Sequence, residues 1–147
     1  FIHVLVYTSG TDGADTIVGF TTAVDDFDTD FATTLGGNGF ATSLAITADT
    51  TVALDLSAAT STNDGLIITV DSLASTSEAD VISAISNGEI NLEAASDAFM
   101  LMLNDGTSSF LFEVTASANN TTLTATDDAI VHVATFTDEV LVAGDII

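Results

Sequence analysis

Twenty-two Asp and Glu residues stand in this 147-residue chain without a single Lys or Arg. Two His are mostly uncharged at pH 7, so the formal charge is -22. A folded body with that imbalance repels itself. Two carboxylates 4 Å apart cost about 1 kcal/mol in water, and several-fold more where they are partly buried. The plain remedy is a metal cation, and hard carboxylate oxygens in flexible loops suit Ca²⁺. The expectation is a protein that folds, or assembles, with calcium as its missing positive charge.

Charge alone does not make the chain disordered. Disorder pairs high charge with low hydrophobicity, whereas 47% of these residues are apolar and the mean hydropathy is +0.51. The remainder is mostly Thr, Ser, Asp, Asn and Gly, a mix that favours strands and turns. The length fits one domain with a real core. The expected fold is one mainly β domain over residues 1–147, with sandwich-like antiparallel sheets and one short helix. Nothing neutralises phosphates, so nucleic acid and anionic membrane surfaces are excluded as partners. The longest apolar runs, such as Phe99 to Leu103, are too short to span a bilayer. The absence of Cys removes disulfides and thiol chemistry. No basic n-region marks a signal peptide in the first residues.

Along the chain, Phe1 to Thr8 reads as a strand, followed by a turn-rich stretch over 9–20 that ends apolar. An acidic cluster occupies 25–30, and a Gly-rich loop lies at 36–39. One or two strands fall in 44–56, and Asn63-Asp64-Gly65 marks a turn. Leu66 to Val70 is a short strand. Ser77 is a fitting N-cap for a helix over 78–87, with acids in its first turn, an apolar stripe of Val81, Ile82 and Ile85, and Asn87-Gly88 to end it. The clearest local structure is a hairpin, with Phe99 to Leu103 and Phe110 to Val114 on either side of Asn104-Asp105-Gly106-Thr107. Asn119-Asn120 marks a turn. Ile130 to Phe136 is a further strand, and Glu139 to Val142 another. With no Pro and no Lys, strand edges lack their usual guards.

Two constellations carry candidate chemistry. Gly10-Thr11-Asp12-Gly13-Ala14-Asp15-Thr16-Ile17-Val18 matches the calcium β-roll nonapeptide G-G-x-G-x-D-x-U-x at Gly10, Gly13, Asp15 and Ile17. There Gly permits the tight turn, Asp ligates the ion and the apolar residue faces inward. Only one copy is present, and an Asp/Gly turn before a strand is the alternative. Asp25-Asp26-Phe27-Asp28-Thr29-Asp30 places Asp26, Asp28 and Asp30 on one face if extended. An EF-hand is rejected, because its Gly position falls on Phe31 and its final Glu position on Gly37. The alternative here is a solvated acidic loop. Candidate metal ligands are therefore Asp12, Asp15, Asp25, Asp26, Asp28 and Asp30, with Gly10 and Gly13 shaping the loop. The turns at 63–65 and 104–106 and the pair Asp127-Asp128 read as ordinary. His3 and His132 sit inside apolar strand runs, where a packed residue is the usual reading. No nucleophile elbow, Walker loop, zinc helix or dinucleotide fingerprint is present. Paired carboxylates for glycoside hydrolysis lack sugar-stacking aromatics, with no Trp and one Tyr, so a carbohydrate-degrading enzyme is the weakest reading and a non-enzyme is expected.

Gly13-Ala14-Asp15-Thr16-Ile17-Val18-Gly19-Phe20, followed by Asp25-Asp26-Phe27-Asp28, resembles bacterial RTX-like secreted proteins, including S-layer and large calcium-binding surface proteins. The 99–114 hairpin and the ending Leu141 to Ile147 look like that family's terminal hairpin and last residues. The resemblance implies that Gly10, Asp12, Gly13 and Asp15 are calcium-loop positions within an N-terminal part spanning 1–31. It also implies that 97–147 is a terminal hairpin with an uncleaved type I secretion tail ending in Asp145, Ile146 and Ile147. The tandem nonapeptides of that family are missing, so the chain is not itself a β-roll.

The expected function is structural: a secreted protein, extracellular or on the cell surface, that self-assembles into a filament or surface layer stabilised by calcium. Copies would join by strand edges, with Phe1, Ile2, Val4 and Val6 as an assembly strand. The alternative is a C-terminal secretion and calcium-folding module of a larger adhesin or exoenzyme.

Overall fold

The Asp-Gly pair at 105–106 does close a hairpin, and the rest of the sheet is built outward from it. The structure, a computed structural model, describes residues 4–7, 14–29, 40–47, 54–55, 65–85, 90–91, 98–115, 122–123, 129–142 and 145. Within them the strands are β1 (Val4–Tyr7), β2 (Asp15–Val18), β3 (Asp26–Thr29), β4 (Phe40–Thr47), β5 (Leu54–Asp55) and β6 (Gly65–Thr69). After one helix, α1 (Glu78–Ile85), come β7 (Ile90–Asn91), β8 (Ala98–Asn104), β9 (Ser109–Thr115), β10 (Thr122–Leu123) and β11 (Ala129–Thr137). The described residues are mainly β with one short helix, as the sequence predicts.

β8 and β9 pair antiparallel from Ala98 opposite Thr115 to Asn104 opposite Ser109. Gly106 takes φ +83°, open to Gly at no steric cost. Asp105 ties the turn with its Oδ1, accepting the N–H groups of Thr107 at 2.9 Å and Ser108 at 2.7 Å. All seven residues of β8 are buried, the mark of a strand covered on both faces. The six-stranded sheet runs β2-β11-β9-β8-β6-β4. Its centre is antiparallel, as expected. Its flanks are parallel, since β2 lies parallel to β11, β6 to β8 and β4 to β6. The β6–β8 pairing follows from α1, which lies in the crossover between those strands, and a parallel connection needs one. β1-β3 and β10-β7-β5 form two smaller sheets not hydrogen-bonded to this one.

α1 starts as predicted. Ser77 carbonyl accepts the first helical N–H, from Val81 at 2.9 Å, and Ser77 Oγ accepts the N–H of Asp80 at 3.3 Å. Val81, Ile82 and Ile85 then bury against Phe99, Leu101, Leu103, Phe112, Val114 and Ile130. The opposite face of the sheet holds a second core of Met100, Met102, Leu111, Val133, Ala134 and Phe136, covered by Phe20, Phe27 and Leu141. β11 serves both cores through a bulge. His132 opposes Phe112, yet Ala134 opposes Leu111, so Val133 is an extra residue. The slip sends Ile130 to the helical core, and Ala134 and Phe136 to the other.

Two expectations change. The turn-rich reading of 9–20 gives way at Asp15–Val18 to a strand, because β11 offers those four residues an unpaired edge. The stretch 139–142, predicted as a strand, is none. Its backbone bonds side chains of the hairpin: Leu141 N–H donates to Ser109 Oγ at 2.8 Å, and Leu141 carbonyl accepts from Asn104 Nδ2 at 3.1 Å. The Phe1–Thr8 strand is described only as Val4–Tyr7. The turns at 36–39, 63–64 and 119–120, the helix end at 87–88, and Asp127-Asp128 lie outside the described residues.

Phe136 is fully buried, and its ring meets the edges of Phe20 at 5.0 Å and Phe27 at 5.5 Å. Phe136→Ala is expected to cost about 3–5 kcal/mol of stability in urea unfolding.

Candidate functional site

Parallel pairing of β2 and β11 makes both strands leave the sheet at the same end, so their C-terminal continuations meet there. After β2 the chain passes Gly19 and Phe20 into a turn over 21–25, in which the N–H groups of Val24 and Asp25 both donate to Thr21 carbonyl, at 3.0 and 2.9 Å. After β11 it passes Asp138 into the docked segment 139–142 and reaches Asp145. Ser109 Oγ also donates to Glu139 carbonyl at 2.9 Å, and Ser108 Oγ accepts from Asp138 N–H at 3.3 Å, so the hairpin's end fixes this segment.

Three consecutive backbone N–H groups of the turn each meet a different carboxylate. Thr21 N–H donates to Asp25 Oδ2 at 2.9 Å, Thr22 N–H to Glu139 Oε1 at 2.9 Å, and Ala23 N–H to Asp145 Oδ1 at 2.7 Å. Thr22 hydroxyl donates to the same Glu139 oxygen. Asp145 uses its other oxygen to accept Val142 N–H at 2.8 Å. Successive N–H groups make an anion-binding concavity, and here the chain's own acids fill it as a clamp. Asp25 and Asp145 are buried. The hydroxyl of Thr22, and then its N–H, hold the Glu139 carboxyl below the usual carboxylate range against a smaller effect of burial. Neutral donors serve Asp80 in the same way. Ser75 and Ser77 hydroxyls donate to its Oδ2 and lower its pKa, Ser75 most.

The predicted metal ligands are placed differently. Asp15 is exposed at the start of β2. Asp25 is engaged in the clamp through Thr21 N–H. Asp26 is half-buried on β3, and Asp28 stands two residues further along the same strand. Val4 and Val6 of the predicted assembly strand oppose Asp26 and Asp28 in β1. Asp12, Asp30, Gly10, Gly13, Phe1, Ile2, Ile146, Ile147 and His3 lie outside the described residues. Among the described residues, no three His, Asp or Glu side chains come together in a way that would hold a metal ion. Asp145, placed by resemblance in an export tail, is fully buried and accepts the Ala23 N–H of the turn. Sequence reasoning missed Glu139, Thr22 and the turn amides, because the contacts span 117 and 122 residues.

His132 is half-buried on the helical face. Its Nε2 lies 3.0 Å from Thr135 Oγ1, and its ring lies 5.3 Å from that of Phe112. Burial pushes its pKa down, partly opposed by a backbone hydrogen bond at Ala134. No helix among the described residues is long and apolar enough to cross a membrane. Compared with family models, curated proteins and solved structures, the chain has no match.

Ala23 adopts φ +63°, the left-handed region. Ala23→Gly keeps the N–H that binds Asp145 and relieves the strain, so thermal unfolding should show a net gain of about 0.5–1 kcal/mol. Burial holds the His132 pKa below that of the unfolded chain, which takes a proton near pH 6.5. Its contribution is therefore present above that pH and lost as the pH falls below it. Stability measured between about pH 7 and pH 5 should decline less in His132→Phe than in the native chain.

Proposed function

We propose that this chain is a secreted structural protein whose copies join edge to edge into an extracellular filament or surface layer, with calcium screening their charge. The observation that carries the reading is the pair of edge strands: among the described residues, β2 and β4 bound the six-stranded sheet, each paired on one side. An edge strand presents a row of backbone donors and acceptors, ready to pair with another chain. β4 is eight residues long, Phe-Ala-Thr-Ser-Leu-Ala-Ile-Thr, with no charge in it. β2 carries one acid, Asp15, and its Val18 is 77% exposed. Neither edge has the Pro or Lys that natural proteins use as guards. A β2 edge meeting a β4 edge is a head-to-tail contact, which propagates when it does not close. The likeness of the 13–28 segment to RTX-like surface proteins fits an extracellular setting.

Calcium enters through the total charge. The described acids do not form a cage, and the three of the clamp already have donors. Divalent ions at the acid-rich surface lower the repulsion between copies and let the edges meet.

Electron microscopy and sedimentation in millimolar calcium, and again in chelator at matched ionic strength, test this. Long particles are expected in calcium, and dispersal in chelator. Val18→Lys with Ser43→Lys should stay dispersed in calcium. Ser83→Lys, on the exposed side of α1, should assemble like the native chain. Particle size that ignores both calcium and the edge lysines would end the proposal.

A further inference from the structure

We infer that neighbouring copies meet by parallel pairing of one copy's β2 with the next copy's β4, so that the six-stranded sheet continues through the assembly with no copy turned over. The inference rests on the edge-to-edge reading above and fixes its geometry. Strand directions carry it. β2 runs with β11, β11 against β9 and β9 against β8, while β8, β6 and β4 run together. Among the described strands of this sheet β9 alone is reversed, so the two edges point the same way. A copy moved sideways along the sheet therefore sets its β2 beside a β4 of the same direction. Each edge strand is also held in parallel pairing on its inner side. Parallel ladders have evenly spaced, slanted bonds, whereas antiparallel ladders alternate close and wide pairs. The two kinds of pair favour different backbone dihedrals, so both edges are already set for a parallel neighbour.

Register follows from an irregularity in β4 and from the two faces of the sheet. β4 takes five steps from Phe40 to Ala45 while β6 takes two from Gly65 to Ile67. Such bulges bend a strand and interrupt its pairing. Ala45–Thr47 is the regular part of that edge, in unbroken register with Ile67–Thr69. Ile17 packs against the second core, and so does Ile67, the register partner of Ala45. A slip of one residue would send every β2 side chain to the other face. Unturned copies therefore set Asp15 opposite Ala45, Thr16 opposite Ile46 and Ile17 opposite Thr47. Asp15, the one acid on either edge strand, then faces no acid. In a chain without Lys or Arg, no side chain could bridge two carboxylates facing each other there.

Disulfide cross-linking between copies tests the joint, and the chain has no Cys of its own to interfere. Thr16→Cys and Ile46→Cys chains are prepared separately, mixed, assembled in millimolar calcium and oxidised, and the links are read by mass spectrometry. Paired residues on neighbouring strands lie within disulfide reach. Links from 16 to 46 are expected in the mixture, and none in either chain alone. Links from 16 to 16 or from 46 to 46 mean two-fold, antiparallel joints; they overturn the parallel joint while edge assembly itself stands. A turned-over copy would instead bring 16 beside 47. A mixture of Thr16→Cys and Thr47→Cys should therefore stay unlinked, and linkage there overturns the inference. If Ile46→Cys does not assemble, cryo-electron microscopy of native particles decides. Six strands about 4.8 Å apart give an advance of about 29 Å per copy, with every α1 on the same side of its sheet. A repeat that returns only at every second copy overturns the inference. Particles that never form in calcium end the edge reading, and this inference with it.

Discussion

A carboxylate accepting a neutral N–H or O–H donor is the interaction on which this fold depends. The chain has no cationic side chain other than protonated His, yet it places Asp25 and Asp145 in its interior. An isolated buried carboxylate is very costly, and a carboxylate with two or three donors is not. The donors come from the backbone at 21–23 and from Thr and Ser hydroxyls at 22, 75 and 77. At the buried Asp25 and Asp145, a hydrogen bond to the charged group contributes about 1.5–3 kcal/mol, while a like-charge pair at 4 Å in water costs about 1 kcal/mol. Local donors can therefore outweigh pairwise repulsion wherever each acid has its own. At these positions hydroxyls and amides take the part that Lys and Arg play in other proteins.

The clamp's position gives that interaction its reach. The second core is roofed by Phe20 and Phe27 from one stretch of chain and Leu141 from another. Neither stretch has a strand partner in the main sheet. They are joined at the rim, where Glu139 and Asp145 take the amides of Thr22 and Ala23. Phe136 supplies the floor, and it reaches that face because Val133 bulges out of register. Bulge, aromatic cluster and clamp thus form one arrangement: the bulge aims Phe136, the ring seats the roof, and the acids fasten it.

How much of this was legible in the sequence depends on contact distance along the chain. Asp105-Gly106 announces its hairpin and Ser77 its helix, because both signals act within a few residues. The apolar runs at 66–70 and 130–136 find strands at Gly65–Thr69 and Ala129–Thr137 for the same reason. β2 was legible only as the strand after an Asp/Gly turn, the alternative to a calcium loop, since Asp-Thr-Ile-Val has no pattern long enough to separate a strand from a turn. Its identity depends on β11, more than a hundred residues away. The run at 139–142 misled in the opposite direction. Glu-Val-Leu-Val reads as a strand, but Ser109 and Asn104 satisfy its backbone first. Counting charges pointed to a need for neutralisation, but it could not identify amides as neutralising groups, because an amide carries no letter of its own.

The same count bears on where copies can approach one another. Paired strands sit about 4.8 Å apart, closer than the screening length of about 8 Å at physiological salt. Repulsion between facing acids is therefore hardly screened at pairing distance, so two edges pair readily only where acids do not face one another. β4 has no acid along eight residues, and β2 has one at its first position. Just past β2, Glu139 and Asp145 are engaged by the amides of Thr22 and Ala23. The chain thus keeps charge sparse on the two strands that bound its main sheet. In the proposed assembly, the acid-rich remainder sets a long-range barrier that calcium lowers, and the edges supply the short-range contact.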